Sequence, residues 1–232
     1  MTIIFNSSTK TGDIVTKLPA ASKLFKQYKI DFCCGGDQPI GMVLQEKGLH
    51  ENDILQQLNE LYAATTTKQE INWETASLQT FVDYIITNYH VRTNEMLAEL
   101  NTFVMKVYRV HGDRHAHLKD VYQLFSMLKA ELEPHLVDEE RDVFPHIVSY
   151  EQSGSQTDLA QAKQQIADLE SEHEAAGTLL KKLRTVTNDY QAPEDACTTY
   201  RLTYLKLEEL ESLTFEHIHL ENNILFPRLM RR

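Results

Sequence analysis

Ten histidines occur in a chain of 232 residues, and four of them fall where a core residue is expected. Leu159, Ala162, Ile166, Leu169, His173, Ala176, Leu180 and Leu183 alternate at spacings of three and four, the seam of a packed helix, and one member is a histidine. Val121, Phe125, Leu128 and Leu132 lead at the same spacing to His135 and Glu139. Leu210 and Thr214 lead to His217 and Glu221, and Val82 and Ile86 lead to His90. Six ionisable groups on core faces are costly unless something neutralises them. A metal pair does so, because it binds neutral imidazole and ionised carboxylate together.

The spacing sharpens this reading. His135/Glu139 and His217/Glu221 are both His-x-x-x-Glu, and residues four apart share a helix face one turn apart. Such a pair can give nitrogen to one metal and let the carboxylate bridge to a second. Four His and two bridging Glu then supply each metal with two nitrogens and two oxygens. Further positions stay open for oxo, hydroxide, water or a small ligand. That chemistry suits non-haem iron better than structural zinc, which closes its shell at four ligands.

The two halves of this region repeat. His135 and His217 lie 82 residues apart, as do Glu139 and Glu221, and His90 precedes His173 by 83. Both His-x-x-x-Glu motifs are followed by Phe-Pro, at Phe144-Pro145 and Phe226-Pro227. Two helical hairpins facing each other across a pseudo-two-fold axis account for this register.

Four long segments must position these residues: about 77–110, 115–149, 157–188 and 193–230. Short turns join them, which predicts an all-α, up-down-up-down four-helix bundle over 75–232. Pro134 is expected to kink the second helix, and Pro145 to kink or shorten its end. Upstream, residues 1–62 read as short helices broken by turns, a small helical N-terminal domain. The polar stretch 63–74 reads as a linker. Within the first domain Asp31-FCCGGDQP is a turn-rich segment carrying the adjacent Cys33 and Cys34.

Composition excludes other classes. The net charge of −11 disfavours binding to a phosphate backbone. Apolar runs are too short for a membrane span, and the N-terminus lacks the pattern of a signal peptide. Three cysteines, two of them adjacent, are no disulfide framework and fit a reducing cytoplasm.

With these motifs, Asp31-FCCGGD and Val110-HGDRH, the chain resembles the hemerythrin-like iron–sulfur cluster repair di-iron proteins (the RIC, YtfE or ScdA family) over nearly its whole length. The resemblance implies a hemerythrin-like bundle holding two non-haem irons, bridged by oxo or hydroxo and by glutamate. It implies His90, His135, Glu139, His173, His217 and Glu221 as ligands. It also implies repair of iron–sulfur clusters damaged by oxidative or nitrosative stress, by donation of labile iron. Proteins with damaged clusters would be the partners, NO or O2 the small ligands, and a homodimer is compatible. A nitric oxide reductase or an O2/NO sensor using the same site is the alternative. Hemerythrins that carry oxygen have two His four apart in the third helix; here His173 is followed at that distance by Gly177. One nitrogen fewer makes the iron more open and more labile, which suits donation.

The remaining candidates divide. Cys33 and Cys34 stand in the family motif beside a Gly-rich turn and are read as a redox or iron-transfer pair. His111, His115 and His117 are read as turn and capping residues, and Cys197 as incidental. His219 should face away from His217, His50 and His146 should lie at the surface, and Glu208, Glu209 and Glu211 should form a solvated face.

Overall fold

The computed structural model describes residues 4–65 and 71–231. It is helical, with no strand among the described residues. Contacts group the chain into two compact units, one of residues 77–214 and one of residues up to 76 together with 215 onward. Residues 66–70 of the expected linker lie outside the described residues, and its first three positions continue a helix.

The smaller unit begins with α1 (Thr11–Lys17), α2 (Ala21–Gln27), α3 (Ile40–Glu46) and α4 (Glu51–Thr65). Each is too short to be stable alone, and packing holds them. Phe5, Ile14, Leu18, Phe25, Ile40, Leu44 and Leu58 are almost fully buried in one cluster, with Phe215 packed against it. Gly48, at φ 65°, ends α3 in the left-handed conformation that glycine adopts without strain.

The larger unit is built from long rods. The first is α5 (Leu78–Ile85), a π-helical turn (Ile86–His90) and α6 (Val91–His111). The second is α7 (Leu118–Asp138), a π turn (Glu139–Val143) and α8 (Phe144–Ser153). The third is the unbroken α9 (Gln156–Val186). The fourth is α10 (Thr198–Leu220), whose last turn and a half, with the π turn (Glu221–Leu225) and α11 (Phe226–Met230) that follow, belongs to the smaller unit. Every apolar member of the α9 seam named above is buried. The first rod packs on the second and the second on the third. Lys206 of α10 pairs with Glu99 of α6 at 2.7 Å, and Arg184 of α9 with Glu211 of α10. The rod ends are capped as the sequence requires: Ser77 and Ser155 accept N–H groups of their own first turns, and the Glu151 carboxylate accepts Leu78 N–H (2.6 Å) and Gln79 N–H (2.9 Å).

Proline acts differently from the expectation. α7 runs through Pro134 without interruption, and the change of pattern falls at Glu139–Val143, just before Pro145. Pro145 has no N–H for the carbonyl four residues back, and its ring crowds that carbonyl. The wider π turn relieves the crowding, with Phe144 N–H bonding to Glu139 C=O. The same device recurs before Pro227, where Phe226 N–H bonds to Glu221 C=O.

Candidate metal centre

Three of the four rods carry a π turn, and each π turn contains an expected ligand: His90 ends the first, Glu139 begins the second and Glu221 begins the third. Single π turns inside α-helices recur at functional sites, because they shift the helix register at one point. The hydrophobic pattern does not reveal them.

His90, Glu139 and Glu221 are fully buried, and His135, His173 and His217 nearly so. Within the larger unit the imidazoles gather on one carboxylate. His90 Nε2 and His135 Nε2 lie 3.4 and 3.5 Å from Glu139 Oε2, and His173 Nε2 lies 3.9 Å from Glu139 Oε1. His135 Nε2 and His173 Nε2 are 3.1 Å apart. On the continuous rod of α10 and its π turn, His217 Nε2 lies 3.1 Å from Glu221 Oε2. The larger unit thus gathers three buried imidazoles around one buried carboxylate, and the His217–Glu221 pair repeats the His135–Glu139 arrangement further along the chain.

The outer nitrogens give the chemical test of fit. His90 Nδ1 donates to Glu140 Oε1 at 2.8 Å, and His135 Nδ1 donates to Glu172 Oε2 at 2.6 Å. Each carboxylate fixes the proton on Nδ1 and turns the bare Nε2 lone pair inward, the arrangement that orients metal-ligating histidine. Ligand atoms at about 2.0–2.2 Å from one cation stand roughly 3 to 3.5 Å from each other, and the separations here run from 3.1 to 3.9 Å. The donor set therefore fits a metal cation that accepts imidazole and carboxylate. Phe144 stacks on His90 with ring centroids 5.5 Å apart and covers one side of the site.

Cys33 and Cys34 lie in the smaller unit. Cys33 is buried, Cys34 half-buried, and their sulfurs are 3.8 Å apart. The hydrogen bond with Cys34, burial and the nearby Asp31 push the Cys33 thiol pKa well up, so its protonated form is favoured.

Several side chains depart from their expected surroundings. Glu211 is fully buried, not solvated: Arg184 reaches it through two nitrogens, Nε at 2.9 Å. Cys197 is exposed but sits 3.3 Å from His111 Nε2. His117 Nε2 meets the hydroxyls of Tyr204 (2.9 Å) and Tyr200 (3.1 Å). His146 is half-buried and paired with Asp158 at 2.8 Å, whereas His50 is exposed. His219 is buried, bonded through Nδ1 to the Phe32 carbonyl at 3.1 Å. No helix among the described residues is long and apolar enough to cross a membrane.

The comparisons with known proteins agree with this architecture. Residues 82–229 match the hemerythrin HHE cation binding domain, and residues 7–62 match a domain of unknown function, DUF542 or ScdA_N. A probable iron-sulfur cluster repair protein of Haemophilus influenzae is 35% identical, over 95% of this chain and 96% of its own. The iron-sulfur cluster repair proteins YtfE of Citrobacter koseri and Escherichia coli O81 are 37% and 38% identical, each over 94% of this chain and 95% of their own. The chain thus belongs to the hemerythrin-like family of iron–sulfur cluster repair proteins, with a ScdA_N domain ahead of the HHE cation-binding domain.

Proposed function

We propose that this protein holds two non-haem irons and delivers iron to damaged iron–sulfur clusters. One observation carries the reading: three buried imidazoles gather on Glu139 and a fourth lies beside Glu221, in a chain whose relatives are named for cluster repair. His90, His135, His173 and His217 would supply the nitrogens, and Glu139 and Glu221 would serve both irons. Bound iron supplies the material from which a damaged cluster is rebuilt.

The protein's own residues set how tightly it is held. Two imidazoles and two shared carboxylates per ion would leave an octahedral shell incomplete. Gly177, buried one turn beyond His173, offers no further donor. Open positions would admit water, dioxygen or nitric oxide, or a competing ligand during transfer. Glu140 and Glu172 hold the imidazole protons on the outer nitrogens and keep the inner lone pairs available. Cys33, Cys34 and Cys197 form no disulfide among the described residues, as suits a reducing cytoplasm.

The test is anaerobic. Iron-loaded protein is mixed with a dehydratase whose [4Fe–4S] cluster has been stripped of one iron, in the presence of thiol reductant. Recovery of dehydratase activity with matching loss of iron from this protein supports the reading. Recovery equal to that given by the metal-free protein contradicts it.

A further inference from the structure

His217 and Glu221 are four residues apart, and so are His219 and Asn223, interleaved on the same rod. Residues two apart on a helix look in different directions. The first pair meets side chain to side chain, Nε2 to Oε2 at 3.1 Å. The second pair grips the backbone of the segment that carries the vicinal cysteines. Asn223 Nδ2 donates to the Cys33 carbonyl at 2.9 Å and lies 3.3 Å from the Phe32 carbonyl. His219 Nδ1 donates to that same Phe32 carbonyl at 3.1 Å, and its ring meets the edge of Phe32 at 5.6 Å.

The fit is close enough to dictate residue types. A Cβ at Gly12 would meet Asn223 Oδ1 at 2.4 Å, and one at Gly36 would meet it at 2.2 Å. Gly12 N–H also bonds to the Gly36 carbonyl at 2.8 Å, so the two glycines and the asparagine form one layer. On the cysteine side the Asp31 carboxylate accepts the N–H groups of Cys33 and Gly35, both at 3.1 Å, and the Cys33 thiol at 3.4 Å. Asn223 sits inside the π turn that opens at Glu221. The cysteine segment therefore hangs on the turn that presents a candidate ligand.

We propose that Asn223 and His219 are positioning residues that couple the Cys33–Cys34 pair to metal held by His217 and Glu221. Metal bound by Glu221 fixes the π turn, the fixed turn holds the Phe32 and Cys33 carbonyls, and Cys33 stays buried. Loss of metal loosens the turn and opens Cys33 to reagents. Linkage makes the coupling reciprocal: modification of Cys33 weakens metal binding by the same factor. The inference rests on reading His217 and Glu221 as ligands.

The experiment follows alkylation of Cys33 by iodoacetamide, read by peptide mass spectrometry, in full-length Cys197→Ser protein under anaerobic conditions. Each sample is run metal-free and ferrous-loaded, with its iron content measured. Iron is expected to slow Cys33 alkylation by about tenfold, within the usual range of coupling between sites. In Asn223→Ala at equal iron content the slowing is expected to shrink to about twofold or less. Asn223→Asp, isosteric but without the amide donor, gives the same readout should the alanine variant fail to fold. A starting protein that carries iron yet reacts at an unchanged rate overturns the coupling alone. Protection that persists undiminished in the Asn223 variants also overturns it. A starting protein that takes up no iron overturns the ligand reading, and the coupling with it.

Discussion

Glu172 Oε2 of α9 lies 2.6 Å from His135 Nδ1 of α7. The contact holds the imidazole proton on the outer nitrogen and leaves Nε2 bare, 3.1 Å from His173 Nε2. Two inward nitrogens at that distance are stabilised by a cation or a proton between them. An exposed carboxylate in the middle of one helix thereby sets the chemistry of a buried group on another.

Removing that acceptor should therefore weaken metal binding without removing a ligand. Glu172→Ala is expected to lower iron affinity roughly 10–100-fold, the usual effect of losing a carboxylate behind a ligating histidine. Competition with a chelator of known affinity measures it. Unchanged affinity would show that the contact does not orient His135. Glu140→Ala should act in the same way through His90.

The π turns make a separate prediction. Pro145→Ala and Pro227→Ala restore the N–H whose absence favours the wide turn ahead of each. A regular α-helix would then compete, and it would turn Glu139 or Glu221 out of register with its histidines. Each variant is expected to stay folded and to bind iron less tightly. Full affinity in both would mean that the turns are set by packing and not by proline.

Arg184 and Glu211 give a prediction about stability. Glu211 is about 1% and Arg184 about 17% exposed, and they share two hydrogen bonds. Cutting one partner from a fully buried pair costs about 3–5 kcal/mol; Arg184 is partly exposed and stays 3.8 Å from Asp189, which brings the expected cost to about 2–3 kcal/mol. Glu211→Ala should lower the unfolding free energy of the metal-free protein by that amount in urea titrations. A change under about 1 kcal/mol would place the pair with ordinary surface contacts.

Asp158 gives the acid side of stability. Hydrogen bonds from Ser149, His146 and the Ser155 cap hold its pKa below the usual carboxylate value. Its charged form is thus favoured by folding, and the contribution is present above the unfolded pKa and lost as pH falls through the folded one. The difference in Tm between metal-free wild type and Asp158→Asn should narrow as pH is lowered from about 5 to about 3. A difference that stays constant over that window would show that the ionised carboxylate is not what stabilises the cap.

Much of this was legible in residue spacing. The α9 seam is visible because a helix buries every third or fourth residue, and His173 interrupts it. The repeat of 82 residues is visible because both halves use the same device. The π turns are not legible, since one extra residue in a turn leaves no mark on a three–four pattern. Glu172 and Glu211 show the other limit. Both are charged residues on amphipathic helices, and only the packing of neighbouring rods makes one a proton anchor and the other a buried ion-pair partner. Cys197 likewise acquires its neighbour, His111, from the distant first turn of the bundle.

The central claim is that Glu139 and Glu221 serve two irons in common. Iron content with Mössbauer spectra, on wild type and on Glu139→Ala/Glu221→Ala, tests it most directly. The account predicts about two irons per wild-type chain, with the spectrum of a coupled pair, and almost none in a folded double variant. A double variant that keeps both irons, or a wild type loaded under ample iron that holds none, would contradict it.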